Sequence, residues 1–232
     1  MPLTIDSYCN DKNAAIFFEN QVLYKMCRDN NDHKSAYVTS GKVLAIGRIY
    51  AASPERGAGR IRPGGIPLLQ AIGEKLSGSS LDGLLGDIDP SNWITDHGLL
   101  DAIVETHEFL VDAIKAATTA WPAEGRKEGW KPRNQGSFAS KYLHFHRPNA
   151  FPIMDSFAKA GLKCVGQNGA FNTYEKFCKA FVLHACTQDK NWTPRSIDTE
   201  LVRRGRIHKD TKPGETCTCC DYKKKGKIKK MT

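Results

Sequence analysis

Apolar side chains recur along this chain at intervals of three and four, and no persistent apolar–polar alternation appears. The first spacing gathers apolar groups on one face of a helix, whereas alternation would mark a strand. Every regular element expected is therefore helical. Residues 11–28 carry Ile16, Phe17, Leu23, Tyr24 and Cys27 at helical spacing, and after the polar break NDHKS a second pattern runs from about 40 to 52. Pro67 opens a third helix to about residue 76, and Ser79 and Ser80 cap a short fourth. Residues 96–118 form a long amphipathic helix with Leu99, Ile103, Phe109, Leu110 and Ile114 inward. GAGRIRPGG (57–65) and WPAEGRKEGWKPR (121–133) read as connections. Further on, Tyr174, Phe177, Phe181 and Val182 mark a helix over 173–185, and Pro194 and Ser196 introduce a last one near 197–205.

Between these lies GSFASKYLHFHRPNAFPIMDSFAKAGLK, residues 136–163. It reads as a short helix, a loop stiffened by Pro148 and Pro152, and a second helix opening after Asp155. On a helical wheel Ser137, Ser140, Lys141 and His144 share one face, opposite Phe138, Ala139, Tyr142, Leu143, Phe145 and His146. Lys141 and His144 are thus expected to project outward together. Asp155 occupies the N-cap position, where backbone N–H groups and the helix dipole keep a carboxylate ionised and aimed. An aspartate so placed usually does no more than cap, so a catalytic reading needs support from elsewhere. His146, amid the apolar face, is expected to be a hydrogen-bonded core histidine; His97 and His107 have no companions at ligand spacing.

The chain's 232 residues suffice for one core or two small lobes. No apolar run approaches a membrane span, and the first residues lack the apolar stretch of a signal peptide. Eight scattered cysteines suit a reducing cytosol, so a cytoplasmic location is expected. The net charge of +9 is unevenly distributed. From Arg203 to the end there are 11 basic and 3 acidic residues, giving +8. From Arg126 to Arg147 six basic residues stand against Glu128, giving +5. Two basic patches on a nearly neutral body favour a polyanion partner over simple solubility charge. The Lys-rich end, KKKGKIKK, reads as a disordered electrostatic arm within a separate tail over 210–232.

Some polar groups invite a chemical reading. Arg48 and Tyr50 sit amid apolar residues, where a long cation needs a partner. An ion pair with Glu55 closing the helix is the plainer account; the functional one has Arg48 or Arg56 facing a phosphate and Tyr50 lining a base pocket. Trp130, between Lys127 and Lys131, has the setting of a base-stacking residue. Cys217-Thr218-Cys219-Cys220 contains a Cys-x-x-Cys spacing, with His208 upstream. A structural zinc wants a second ligand pair at comparable spacing, and none is visible, so neither metal nor cofactor is expected.

An all-α chain with a loop–helix–loop–Asp unit beside a basic patch resembles the helix-hairpin-helix DNA glycosylases, in their 8-oxoguanine-glycosylase-like branch. The residues that carry the likeness are Gln135 to Phe145 and the string Phe151-Pro152-Ile153-Met154-Asp155. The run is also similar to that of bacterial glycosylases that defend against phage with modified DNA. The resemblance implies a two-lobed helical bundle over 1–209. It also implies a monomeric enzyme that flips a modified base out of double-stranded DNA and hydrolyses its N-glycosidic bond, for repair or for phage defence. Asp155 would be the essential catalytic residue. Arg133, Gln135, Gly136, Ser137 and Arg147, with Arg48 and Arg56, would contact DNA, and Tyr50, His144, His146 and Trp130 would shape the base pocket. The hairpin here is Lys131-Pro132-Arg133-Asn134-Gln135-Gly136 rather than Leu-Pro-Gly-Val-Gly, so a phosphate grip rests on Gly136. Where bifunctional relatives carry a Schiff-base lysine, this chain has Ser137 or Phe138. Lys141, one turn later, can replace that group or bind phosphate, and a monofunctional enzyme is expected. The rival expectation is a non-catalytic helical nucleic-acid-binding protein. A two-metal nuclease is disfavoured, because a single carboxylate in the organised stretch supplies too few oxygen ligands.

Overall fold

A computed structural model describes residues 12–57, 66–88, 97–121, 131–188, 194–212 and 215–218. Its described elements are helices, and no strand is present among them. In chain order they are α1 (Lys12–Asp29), α2 (Ala36–Ile49), a 3-10 turn (Pro54–Gly57), α3 (Ile66–Ser77) and α4 (Leu81–Gly86), followed by α5 (His97–Ala120), α6 (Gly136–His146), α7 (Ser156–Cys164), α8 (Tyr174–Ala185) and α9 (Pro194–Asp210). The all-α expectation holds, with boundaries close to those that the apolar spacing marks. None of the described helices is long and apolar enough to cross a membrane.

The chain divides into two compact units: Met1–Asp87 with Thr106–Arg147, and Ile88–Glu105 with Pro148–Thr232. The expected tail over 210–232 falls within the second unit, and most of it, like Trp130, lies outside the described residues.

In the first unit α2 packs along α3, and α6 lies against α1 and α2. The α2–α3 approach is close because Gly73 faces Ser40 and the Ala36 carbonyl, where a Cβ would overlap them. Ser35 caps α2 by accepting from the Val38 N–H. Its core holds Leu23, Val43, Ile46, Leu68, Ile72 and Leu81. A polar network runs through it. His33 Nδ1 donates to Asp82 at 2.5 Å, its backbone N–H donates to the same carboxylate, and its Nε2 shares a hydrogen bond with the Tyr142 hydroxyl at 2.9 Å. The buried Lys42 ammonium donates to the Asn30 and Asp32 carbonyls, at 2.9 and 2.8 Å. These bonds tie the α1–α2 connection, α4 and α6 together and satisfy groups that would otherwise be costly to bury.

In the second unit α7 crosses α9 with the two backbones in close approach. Gly161 faces the Leu201 carbonyl and Gly205 faces the Phe157 carbonyl, and a Cβ at either position would overlap that oxygen. α8 packs on α7, contributing Tyr174, Phe177 and Phe181 to a core shared with Leu162, Ile197 and Leu201.

Candidate active site

Asp155 is the N-cap of α7. Its backbone is extended, and its Oδ1 accepts the Phe157 and Ala158 N–H groups at 2.8 and 2.9 Å. The expected cap is thus present. The loop that delivers it is unusually well fixed. Phe151, Pro152, Ile153 and Met154 are all buried, so the chain entering the cap is packed rather than solvated. Two buried bonds clamp it: the Ile153 N–H donates to Asp198 on α9 at 2.9 Å, and the Tyr174 hydroxyl donates to the Pro152 carbonyl at 2.9 Å. A half-buried carboxylate therefore stands at the end of a buried, doubly tethered loop segment.

The other predicted residues gather in the first unit, around α6. Here the outward projection of Lys141 and His144 fails. Lys141 is 3% exposed and His144 2%, and α6 is buried from Phe138 to His146 on every face. The wheel cannot see this, because α6 is packed by α1 and α2 on the side that carries its polar groups. Those groups find partners inside. Lys141 Nζ donates to Ser137 Oγ at 3.0 Å and lies 5.7 Å from the centroid of the Tyr50 ring. His144 Nε2 shares a hydrogen bond with the Tyr24 hydroxyl at 2.6 Å. The Tyr50 ring rests against Phe145 at 5.4 Å, and its hydroxyl donates to Asn20. Phe145 in turn packs on Tyr24 at 4.8 Å. Tyr24, Tyr50, His144 and Phe145 thus form an aromatic cluster with one ammonium at its edge, in which His144, Phe145 and Lys141 are buried and the polar groups bond to one another and to Asn20 and Ser137.

His146 is a core histidine, as expected, but its hydrogen bonds are missing. Its ring lies 4.8 Å from His33 and 4.9 Å from Tyr142, and neither nitrogen has a hydrogen-bond partner among the described residues. Burial pushes its pKa well below the usual histidine value, with Lys42, His33 and Arg147 adding to the effect. His107 Nε2 donates to the Gly136 carbonyl at 2.9 Å, and burial lowers its pKa to about 4.

The expected phosphate contacts are partly engaged within the protein. The Gly136 N–H donates to the Asn134 side chain at 2.7 Å, so the local turn already uses the donor on which a backbone grip was to rest. Gln135, at the N-cap of α6, donates to the Pro54 carbonyl at 3.3 Å. Arg147, at the C-cap of α6, donates to the His146 carbonyl at 3.0 Å. Arg48 pairs with Glu55 at 3.0 Å, as the plainer account anticipated. Arg133 is exposed beside Lys131. Arg56 belongs to the 3-10 turn, its side chain outside the described set.

Tyr24, Asn20, Tyr174 and Asp198 have no place in the sequence-level list. Tyr24 and Tyr174 show only as apolar-face positions, and nothing local in the sequence marks the carboxylate of Asp198 as a tether for a loop 45 residues away. No protein-family model, no curated protein and no solved structure matches the chain.

Proposed function

We propose that this chain is a DNA glycosylase, with Asp155 its catalytic carboxylate. The observation that carries the reading is the tethering of Asp155. A cap alone needs only a local turn, whereas here Asp198 and Tyr174 fix the approach to the carboxylate from two other helices. Such positioning suits a group that must meet developing charge without reorganising. The basic segment from Arg126 to Arg147, the Lys-rich end and the likeness of the GSFASKYLHF…FPIMD run to helix-hairpin-helix glycosylases supply the substrate class.

In this reading the target nucleotide leaves the duplex at a cost of about a few kcal/mol, least for a mispaired or modified base. Asp155 stabilises the positive charge that grows on the sugar as the glycosidic bond breaks, and orients or deprotonates the water that attacks C1′. The products are the free base and an abasic site. Lys141, buried and engaged by Ser137 and the Tyr50 ring, does not serve as a Schiff-base nucleophile in this reading. Borohydride added during turnover is accordingly expected to trap no protein–DNA adduct; a trapped adduct lost in Lys141→Gln would assign it the lyase role instead.

Asp155→Asn tests the central assignment cleanly, because asparagine caps a helix as well as aspartate does while removing the charge. The variant should keep wild-type stability and duplex affinity and lose on the order of 100-fold or more of base release. The second reading, a non-catalytic nucleic-acid-binding protein, draws on the two cap bonds of Asp155. It would be preferred if wild type and variant bound duplex equally and neither released a base from any modified DNA.

A further inference from the structure

The C-terminal part of the second unit brings together three groups that the glycosylase reading does not use. Cys164, His208 and Cys217 each offer one ligand atom, and these atoms all lie within 4.8 Å of one another. Cys164 is the last residue of α7, His208 stands in the final turn of α9, and Cys217 lies in the segment that follows. We propose that these three residues hold a structural zinc ion that pins the segment after α9 to the α7–α9 pair.

The donor set is the first argument. Two sulfurs and an imidazole nitrogen suit a borderline-soft ion in tetrahedral geometry and disfavour calcium or magnesium, which take oxygen. Around a zinc with Zn–S bonds of about 2.3 Å, neighbouring ligand atoms stand about 3.8 Å apart, so separations within 4.8 Å need only small adjustments. Scaffold rigidity is the second. The glycine crossing of α7 and α9 sets where the two helices end, and Gly161 and Gly205 each precede a ligand by three residues. Neither helix can shift its ligand without breaking that crossing.

The third argument is the burial of Cys217. It is 2% exposed, whereas Glu215, Thr216 and Thr218 around it are all exposed. Among the described residues from Asp210 to Thr218, only Cys217 is buried, and its thiol lies in the donor cluster. A metal–thiolate bond gives such a polar segment the anchor that apolar burial does not. On binding, the two thiols lose their protons to solvent and the imidazole ligates as its neutral form. The three ligands leave one of the four tetrahedral positions to a further donor.

The spacing rule applied to the sequence missed this site because the second cysteine of the cluster is 53 positions upstream of Cys217, at the end of another helix. Elemental analysis of the full-length chain, purified without chelator, tests the proposal. One zinc per chain is expected, falling roughly tenfold or more in Cys164→Ser and in His208→Ala and unchanged in Cys186→Ser. Because a ligand variant can fail to fold, the wild type is also stripped and loaded with Co(II), which should give a thiolate charge-transfer band and tetrahedral d–d absorption. Metal-free wild type with no thiolate–cobalt band would overturn the proposal, as would full zinc retention in both ligand variants. The absorption of an iron–sulfur cluster in the purified protein would also overturn it.

Discussion

Replacing Asp198 by alanine leaves the buried Ile153 N–H without its carboxylate, and an unpaired buried donor costs about 1–3 kcal/mol. If the tether also aims Asp155, Asp198→Ala should lower the rate of base release by more than its effect on binding, a split read from single-turnover kinetics and duplex titration. Histidines give the second prediction at this scale. His107 and His146 are held neutral by burial, their pKa values depressed below the ordinary 6.5. The unfolded chain takes up protons at these sites before the folded one does, so stability is fully present above about pH 6.5 and is lost as the pH falls toward 4. For His107 alone the loss by pH 5 is about 2 kcal/mol, and urea midpoints at pH 7 and pH 5 measure the total. An unchanged midpoint would mean that these rings are solvated. Asp155 was legible because an N-cap is a local pattern. Lys141, His144 and the orphaned nitrogens of His146 were not, since their surroundings are built from α1 and α2.

At the level of elements, the helices follow the apolar spacing closely, because a packed face leaves a periodic trace in the sequence whatever it packs against. Which faces are buried is another matter. α6 has an ordinary amphipathic wheel yet is enclosed all round, and its polar side chains are satisfied by Tyr24, Ser137 and their neighbours. The α7–α9 crossing was equally hidden: an isolated Gly161 or Gly205 reads as a weak helix position, and only the facing carbonyls explain it. Gly161→Ala must push α7 off the Leu201 backbone and should destabilise the fold by at least about 2 kcal/mol, measured as a lower urea midpoint with an unchanged slope. Ala116→Gly on the exposed side of α5, a helix-propensity change of about 1 kcal/mol, provides the comparison.

Over the whole molecule, the basic charge is concentrated in two segments. The basic excess sits at Arg126–Arg147, which includes α6, and from Arg203 onward, which includes the end of α9. Counterion release makes affinity for duplex DNA fall with salt, at about 0.9 logarithmic unit per neutralised phosphate. Changing Lys223, Lys224, Lys225, Lys227, Lys229 and Lys230 to glutamine should therefore flatten the salt slope by up to about 5 without altering base release at saturating protein. The central claim concerns Asp155. Incubating the wild type and Asp155→Asn with DNA carrying oxidised, alkylated or phage-type hypermodified bases, and detecting free bases by mass spectrometry, addresses it most directly. Release of one modified base by the wild type, with an abasic site left behind and the signal lost in Asp155→Asn, is the predicted result. Equal release by both proteins, or none by the wild type from any of these DNAs despite tight binding, would contradict it.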